Sequence, residues 1–182
     1  MTTTAGACWR LVGVWLAMLC VGAIGAYADG TAPAANAPQP ASHEVNLTFC
    51  CNPQDGFYGG GSGWGAWMKD SPLYGDYFLS VFHNGLEHSM YAGCGATVRL
   101  MPHWFVAPFV GAGGSFNTAL GKKNDLIAGL RDYYCGGHVE SGLRVALPQT
   151  RYSCLVSGRY TWSTAGRDQD YWLIGLTVSG PF

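Results

Sequence analysis

Charge is scarce in this chain. Asp, Glu, Lys and Arg make up 12% of its 182 residues and the formal net charge is −1. A nucleic-acid partner is therefore not expected, because that needs a clustered basic surface to displace counterions. Long apolar runs are missing after the first 28 residues. A mature chain that enters a membrane must then do so as a closed barrel, since lipid cannot satisfy open backbone edges. Compact Cys and His spacings are missing too. Nothing is stronger than the Cys50-Cys51 pair, so neither a metal nor any other cofactor is expected. The stretch Gly61-Ser-Gly63-Trp-Gly-Ala66 superficially fits a dinucleotide fingerprint but has no βαβ unit around it. Glycines that let aromatic rings pack in a tight barrel explain it better.

What is present begins with an address. Met1 to Arg10 carries one cation and no acid, Leu11 to Ala26 is apolar, and Ala26-Tyr27-Ala28 is a small-x-small cleavage site. Residues 1–28 read as a secretory signal peptide rather than an anchor helix, for which the run is short. Residues 29–42 form an Ala/Pro tract with no large apolar side chain, expected to be a flexible leader. Residues 43–182 are enough for one domain.

That domain alternates in steps of two, the side-chain period of a β-strand. The pattern predicts eight strands: His43 to Cys51, Gly56 to Met68, Tyr74 to His83, His88 to Met101, His103 to Asn117, Tyr133 to Leu147, Arg151 to Thr164, and the terminal Asp170 to Phe182. In the last, Trp172, Ile174, Leu176, Val178 and Phe182 share one parity. Pro-bearing turns at Lys69–Leu73, Met101–His103 and Leu147–Gln149 alternate with longer links such as Asn117 to Arg131. Short turns alternating with long loops imply an all-β, eight-stranded antiparallel up-and-down transmembrane β-barrel.

Aromatic spacing supports that placement. Trp104 and Tyr152 lie near the turn end of the apolar parity, Trp162 and Trp172 near the loop end. At about 3.3 Å per residue and a tilt near 40°, Tyr152 and Trp162 are roughly 25 Å apart along the barrel, the height of the apolar band of such barrels. A soluble periplasmic lipocalin-like binding barrel is the competing arrangement, with the apolar parity turned inward. The opposite parity would then face water, yet it carries Gly, Ser and Thr with few Lys. It suits a filled lumen. There Arg99, His138, Glu140, Arg144 and Arg159 are expected to pair, because an isolated buried charge is costly.

On these features residues Glu44 to Phe182 resemble the small eight-stranded outer-membrane barrels of the OmpA/OmpX type. The resemblance implies a Gram-negative outer-membrane location, contact with membrane lipid and lipopolysaccharide, and a monomer. It also implies an assembly signal in Ile174, Leu176, Val178 and Phe182, read by the barrel-assembly machinery. No peptidoglycan-binding domain follows Phe182, so wall anchoring is not expected. Lipid A deacylases share this barrel type and use a Ser/His pair two apart on one strand. No His-x-Ser occurs here; His88-Ser89 point to opposite faces, and His138 and Glu140 share a face, with Ser157 expected as the cross-strand neighbour of Glu140. The expectation is a structural or surface-interaction barrel with a closed lumen and no catalysis. Lys122, Lys123 and Arg131 of the long loop could contact lipopolysaccharide phosphates, with Asn124 capping a short helix. Among the mature cysteines, Cys94 and Cys154 fall on the apolar parity. Cys50, Cys51 and Cys135 lie toward the loop ends, where a disulfide needs Cα atoms within about 7 Å.

Overall fold

The computed structural model describes residues 42–53, 56–84, 89–122, 133–147, 150–163 and 171–182. The expected signal peptide and all of the leader except Ser42 lie outside the described residues. Every described regular element is a strand: β1 (His43–Asn52), β2 (Phe57–Trp67), β3 (Leu73–Asn84), β4 (Ser89–Leu100), β5 (Val106–Lys122), β6 (Tyr133–Ala146), β7 (Ser153–Ser163) and β8 (Tyr171–Pro181). The strands form one closed barrel in chain order. Each neighbour is antiparallel, and a seam between β1 and β8 runs from Glu44↔Pro181 to Cys51↔Ile174.

The two parities separate as polar inside and apolar outside. On β1, Leu47 and Phe49 are 61% and 58% exposed, whereas Glu44 and Asn46 are 2% and 3% exposed. Tyr77, Leu79 and Val81 on β3, Leu143 on β6, Val156 on β7 and Ile174, Leu176 and Val178 on β8 continue the outer surface. This is the reverse of a soluble barrel, in which those side chains would fill the centre.

Glycines make the narrow interior possible. On β2 a Cβ added at Gly65 would fall on the ring and hydroxyl of Tyr74. The same economy works outside, where Tyr152 covers Gly180 and Trp162 covers Gly137.

Short turns gather at the end where β1 begins and β8 stops. The β2–β3 connection closes through Met68 N–H to the Leu73 carbonyl at 2.9 Å, and Leu147 N–H reaches the Tyr152 carbonyl at 2.9 Å. Asp70 adopts a positive φ of 54°, a turn conformation its short polar side chain tolerates. Inside this end, Tyr74, Met101, Ala107, Phe109 and Leu155 form a buried cluster with Trp67 and Trp104 packed on it.

Two expectations change here. Trp104, expected on the outer surface at the turn end, packs on the buried cluster instead, because residues 103–105 form a bend outside the sheet, where the strand alternation no longer sets the side-chain direction. β5 accordingly starts at Val106 and runs on to Lys122, past the Asn117 limit read from the sequence. The extension holds because β4 pairs with it to Ser89↔Lys122, after an irregularity between Ser89 and Met90. Asn117, expected to open a loop, is buried in the lumen.

Candidate functional site: the polar lumen

The inward parity places charged residues in register across the barrel. Arg99 on β4 is paired with Gly111 on β5, Gly111 with Glu140 on β6, and Glu140 with Arg159 on β7. Gly111 makes the row work: a Cβ there would come within 3.0 Å of Arg99 Cγ and 3.2 Å of Glu140 Cγ. Without it, the two long side chains meet over the gap. Arg99 Nε donates to Glu140 Oε1. Arg159 donates to Glu140 Oε2 through Nε at 3.0 Å and Nη2 at 2.8 Å. At its other side, Arg99 Nη1 lies 3.0 Å from Asp76 Oδ2 on β3.

The result is a chain of alternating charge, Asp76–Arg99–Glu140–Arg159, drawn from four strands and crossing a fifth at Gly111. Rings back its cations: Arg99 lies over Tyr74 and Phe109, and Arg159 lies 4.9 Å from the centroid of Phe78. Below it, Asn46 donates to the Tyr74 hydroxyl at 2.8 Å and accepts from Ser179 Oγ at 2.7 Å.

A second group sits at the turn end and is built differently. Glu44 Oε1 accepts from Trp67 Nε1 at 3.3 Å, while Arg144 lies over the Trp67 ring at 5.4 Å and donates from Nε to Ser153 Oγ at 3.2 Å. Arg144, expected to pair with Glu140, therefore belongs to another storey. Four residues along a strand are about 13 Å, too far for a direct contact. His138 faces the lumen but bonds Thr97 Oγ1 at 2.9 Å through Nε2 and meets Phe78 edge-on.

Ser157 is in register with Gly142, not with Glu140, whose direct partner is Arg159. A carboxylate whose two oxygens are both held by guanidinium groups is poorly placed to act as a base. His88 lies outside the described residues. Among the described residues no group of His, Cys, Asp and Glu is compact enough for a metal. Among the described residues no disulfide joins Cys50, Cys51, Cys94, Cys135 and Cys154: Cys50 is buried toward the lumen, whereas Cys94 and Cys135 are exposed on the outer wall.

The remaining expected residues are placed as follows. Tyr152 and Trp162 are 52% and 42% exposed on the outer wall, and Trp172 is half-buried opposite Tyr160. Ile174, Leu176 and Val178 project outward and Phe182 is 90% exposed. Lys123, Arg131 and the short helix expected after Asn124 lie outside the described residues. Of Lys122 only the backbone, at the end of β5, is described.

Sequence reasoning passed over three lumen residues: Asp76, Glu44 and Gly111. The missed signal was charge balance. The inward parities carry Arg99, Arg144 and Arg159 against Glu140, which leaves two cations to neutralise. Glu44 and Asp76 are the remaining acids on those parities.

No known protein family and no curated protein matches this sequence. Solved structures do. The N-terminal β-barrel domain of Pseudomonas aeruginosa OprF is similar with a TM-score of 0.57 at 15% identity, covering 78% of this chain and 98% of that one. Neisserial surface protein A is similar with a TM-score of 0.53 at 14% identity, covering 77% and 94%. The outer membrane enzyme PagL gives a TM-score of 0.47 at 16% identity, covering 76% and 99%. The fold implied by the resemblance to small eight-stranded outer-membrane barrels is the fold found, and at these identities the likeness extends to fold alone.

Proposed function

We propose that this protein is an outer-membrane barrel with a structural or surface-interaction role and a closed lumen, without catalysis. The observation that carries the proposal is the inverted wall. Large apolar side chains such as Leu79 (65% exposed) and Val156 (55%) ring the outside, while Glu140, Arg144 and Asp76 lie at 3%, 3% and 6% exposure within. In water that outer surface would far exceed the apolar patches of ordinary monomers. In a bilayer it is the expected solvent-facing composition.

Closure follows from the side chains. The Tyr74–Met101–Phe109 cluster fills the turn end, and the Asp76–Arg99–Glu140–Arg159 chain crosses the middle. Eight strands enclose a space that side chains can fill, so the barrel is not a general pore. Engagement of Glu140 by Arg99 and Arg159 favours a structural lumen over a hydrolytic one. Lipid and lipopolysaccharide are the proposed surroundings, with Lys122, Lys123 and Arg131 as the cations that would meet headgroup phosphates.

Fractionation of cells tests the reading directly. The protein should sediment with outer membranes, resist extraction by high salt, and run faster on gels unheated than boiled. Recovery as a soluble periplasmic species would refute it. Reconstituted protein should show no stepwise conductance, and the lipid A mass spectrum should be the same with and without it.

A further inference from the structure

Above the Tyr74 cluster the lumen holds a cavity of about 40 Å³, lined by Asn46, Thr48, Asp76, Arg159, Ser157 and Thr177 among others. Asp76 is 6% exposed. Its Oδ2 is taken by Arg99 at 3.0 Å and by Asn46 at 3.4 Å, whereas its buried Oδ1 has no protein donor. A buried carboxylate oxygen without a donor loses the hydrogen bonds it had to water and gains none in return. The cavity therefore calls for a donor.

Its size and charge narrow the choice. At about 10–15 Å³ per water, the space takes about three waters and little else. A cation is disfavoured because Arg99 and Arg159 line the same space, and among the described residues three inward acids already balance three inward arginines. Neutral donors that can also be received by hydroxyls fit best, and Thr48 and Thr177, bonded to each other at 2.8 Å, supply such hydroxyls.

We propose that this chamber is a water-binding site, in which a cluster of about three waters donates to Asp76 Oδ1 and is anchored by the Thr48, Thr177 and Ser157 hydroxyls. Among the described residues, the space continues toward the loop end and is blocked toward the turn end. On the loop side a second, smaller void shares Phe78 and Arg159 with the chamber and continues to Asn117 and Thr161. On the other side Tyr74, Met101 and Phe109 are each 1% exposed.

Radiolytic hydroxyl-radical footprinting of the folded protein in detergent tests this wherever the protein resides in the cell. X-ray pulses generate radicals from bound water beside the side chains they oxidise. Phe78, on the chamber, should be oxidised several-fold faster than Phe109, in the dry cluster, and Cys50 should follow Phe78. Equal slow rates for Phe78 and Phe109 would overturn the proposal. Filling the chamber with Ser157→Leu, in protein that keeps its heat-modifiable mobility, should slow the oxidation of Cys50 several-fold, because Cys50 lines the chamber and not the second void. An unchanged Cys50 rate in that folded variant would also overturn it. If the variant does not fold, the contrast within the unaltered protein decides.

Discussion

The two polar storeys of the lumen solve one problem in different ways. In the middle storey Arg99 and Glu140 stand two strands apart with Gly111 between them, so carboxylate and guanidinium touch. At the turn end Glu44 on β1 and Arg144 on β6 are separated by β7 and β8, and the Trp67 indole bridges them. Its N–H serves the acid and its face serves the cation. In a narrow barrel, the number of strands between two charges decides whether they pair directly or through a ring. A direct pair concentrates stability in a few contacts; a bridged pair spreads it over weaker ones.

That contrast can be broken most sharply at Glu140. Glu140→Ala leaves Arg99 and Arg159 facing each other without the acid, and should cost about 3–5 kcal/mol of unfolding free energy. Urea titration followed by the heat-modifiable gel shift measures it. A loss under 1 kcal/mol would mean that the direct chain contributes little. Moving a guanidinium to the outer wall is the next largest test. Val156→Arg should cost about 2–4 kcal/mol in lipid vesicles if that wall lies at mid-bilayer. An effect near zero in vesicles would say that Val156 does not face acyl chains.

The bridged storey is expected to be more forgiving. Trp67→Phe keeps a ring under Arg144 but removes the donor to Glu44, and should cost about 1–3 kcal/mol in the same titration. A cost equal to that of Glu140→Ala would erase the distinction between the storeys. Gly111→Ala should show the smallest effect, about 1 kcal/mol. Its Cβ would meet the Cγ atoms of Arg99 and Glu140, in long side chains that can give way, and the Val98 carbonyl oxygen at 3.1 Å, which asks for a shift of a few tenths of an ångström. A loss as large as that of Glu140→Ala would show that the row has no slack.

Much of the barrel was legible because a period of two marks a strand whichever face meets lipid. Alternation of Leu47 and Phe49 with Asn46 and Thr48 both located β1 and told its faces apart. Boundaries were harder at β5, where residues 103–117 are apolar on both parities. Parity alone could not show that Trp104 turns into the barrel end. The lumen was half legible. Arg99, Glu140 and Arg159 do meet, but their contact depends on register, and register is set by the turns as well as by the alternation. The role of Gly111 was hidden for a related reason: a missing side chain matters only through the neighbours that cross above it.

The seam between β1 and β8 joins Glu44 to Pro181, so its partners come from opposite extremes of the barrel sequence. Every other pairing can grow outward from a hairpin, with few residues to bring together before contacts form. This one has to gather nearly the whole domain, an ordering cost met only once the other seven pairings exist. Until then both rims of the growing sheet carry unsatisfied amides and carbonyls, which hydrocarbon cannot solvate. Completion of this cylinder is therefore a late, all-or-none zipping of its first strand onto its last.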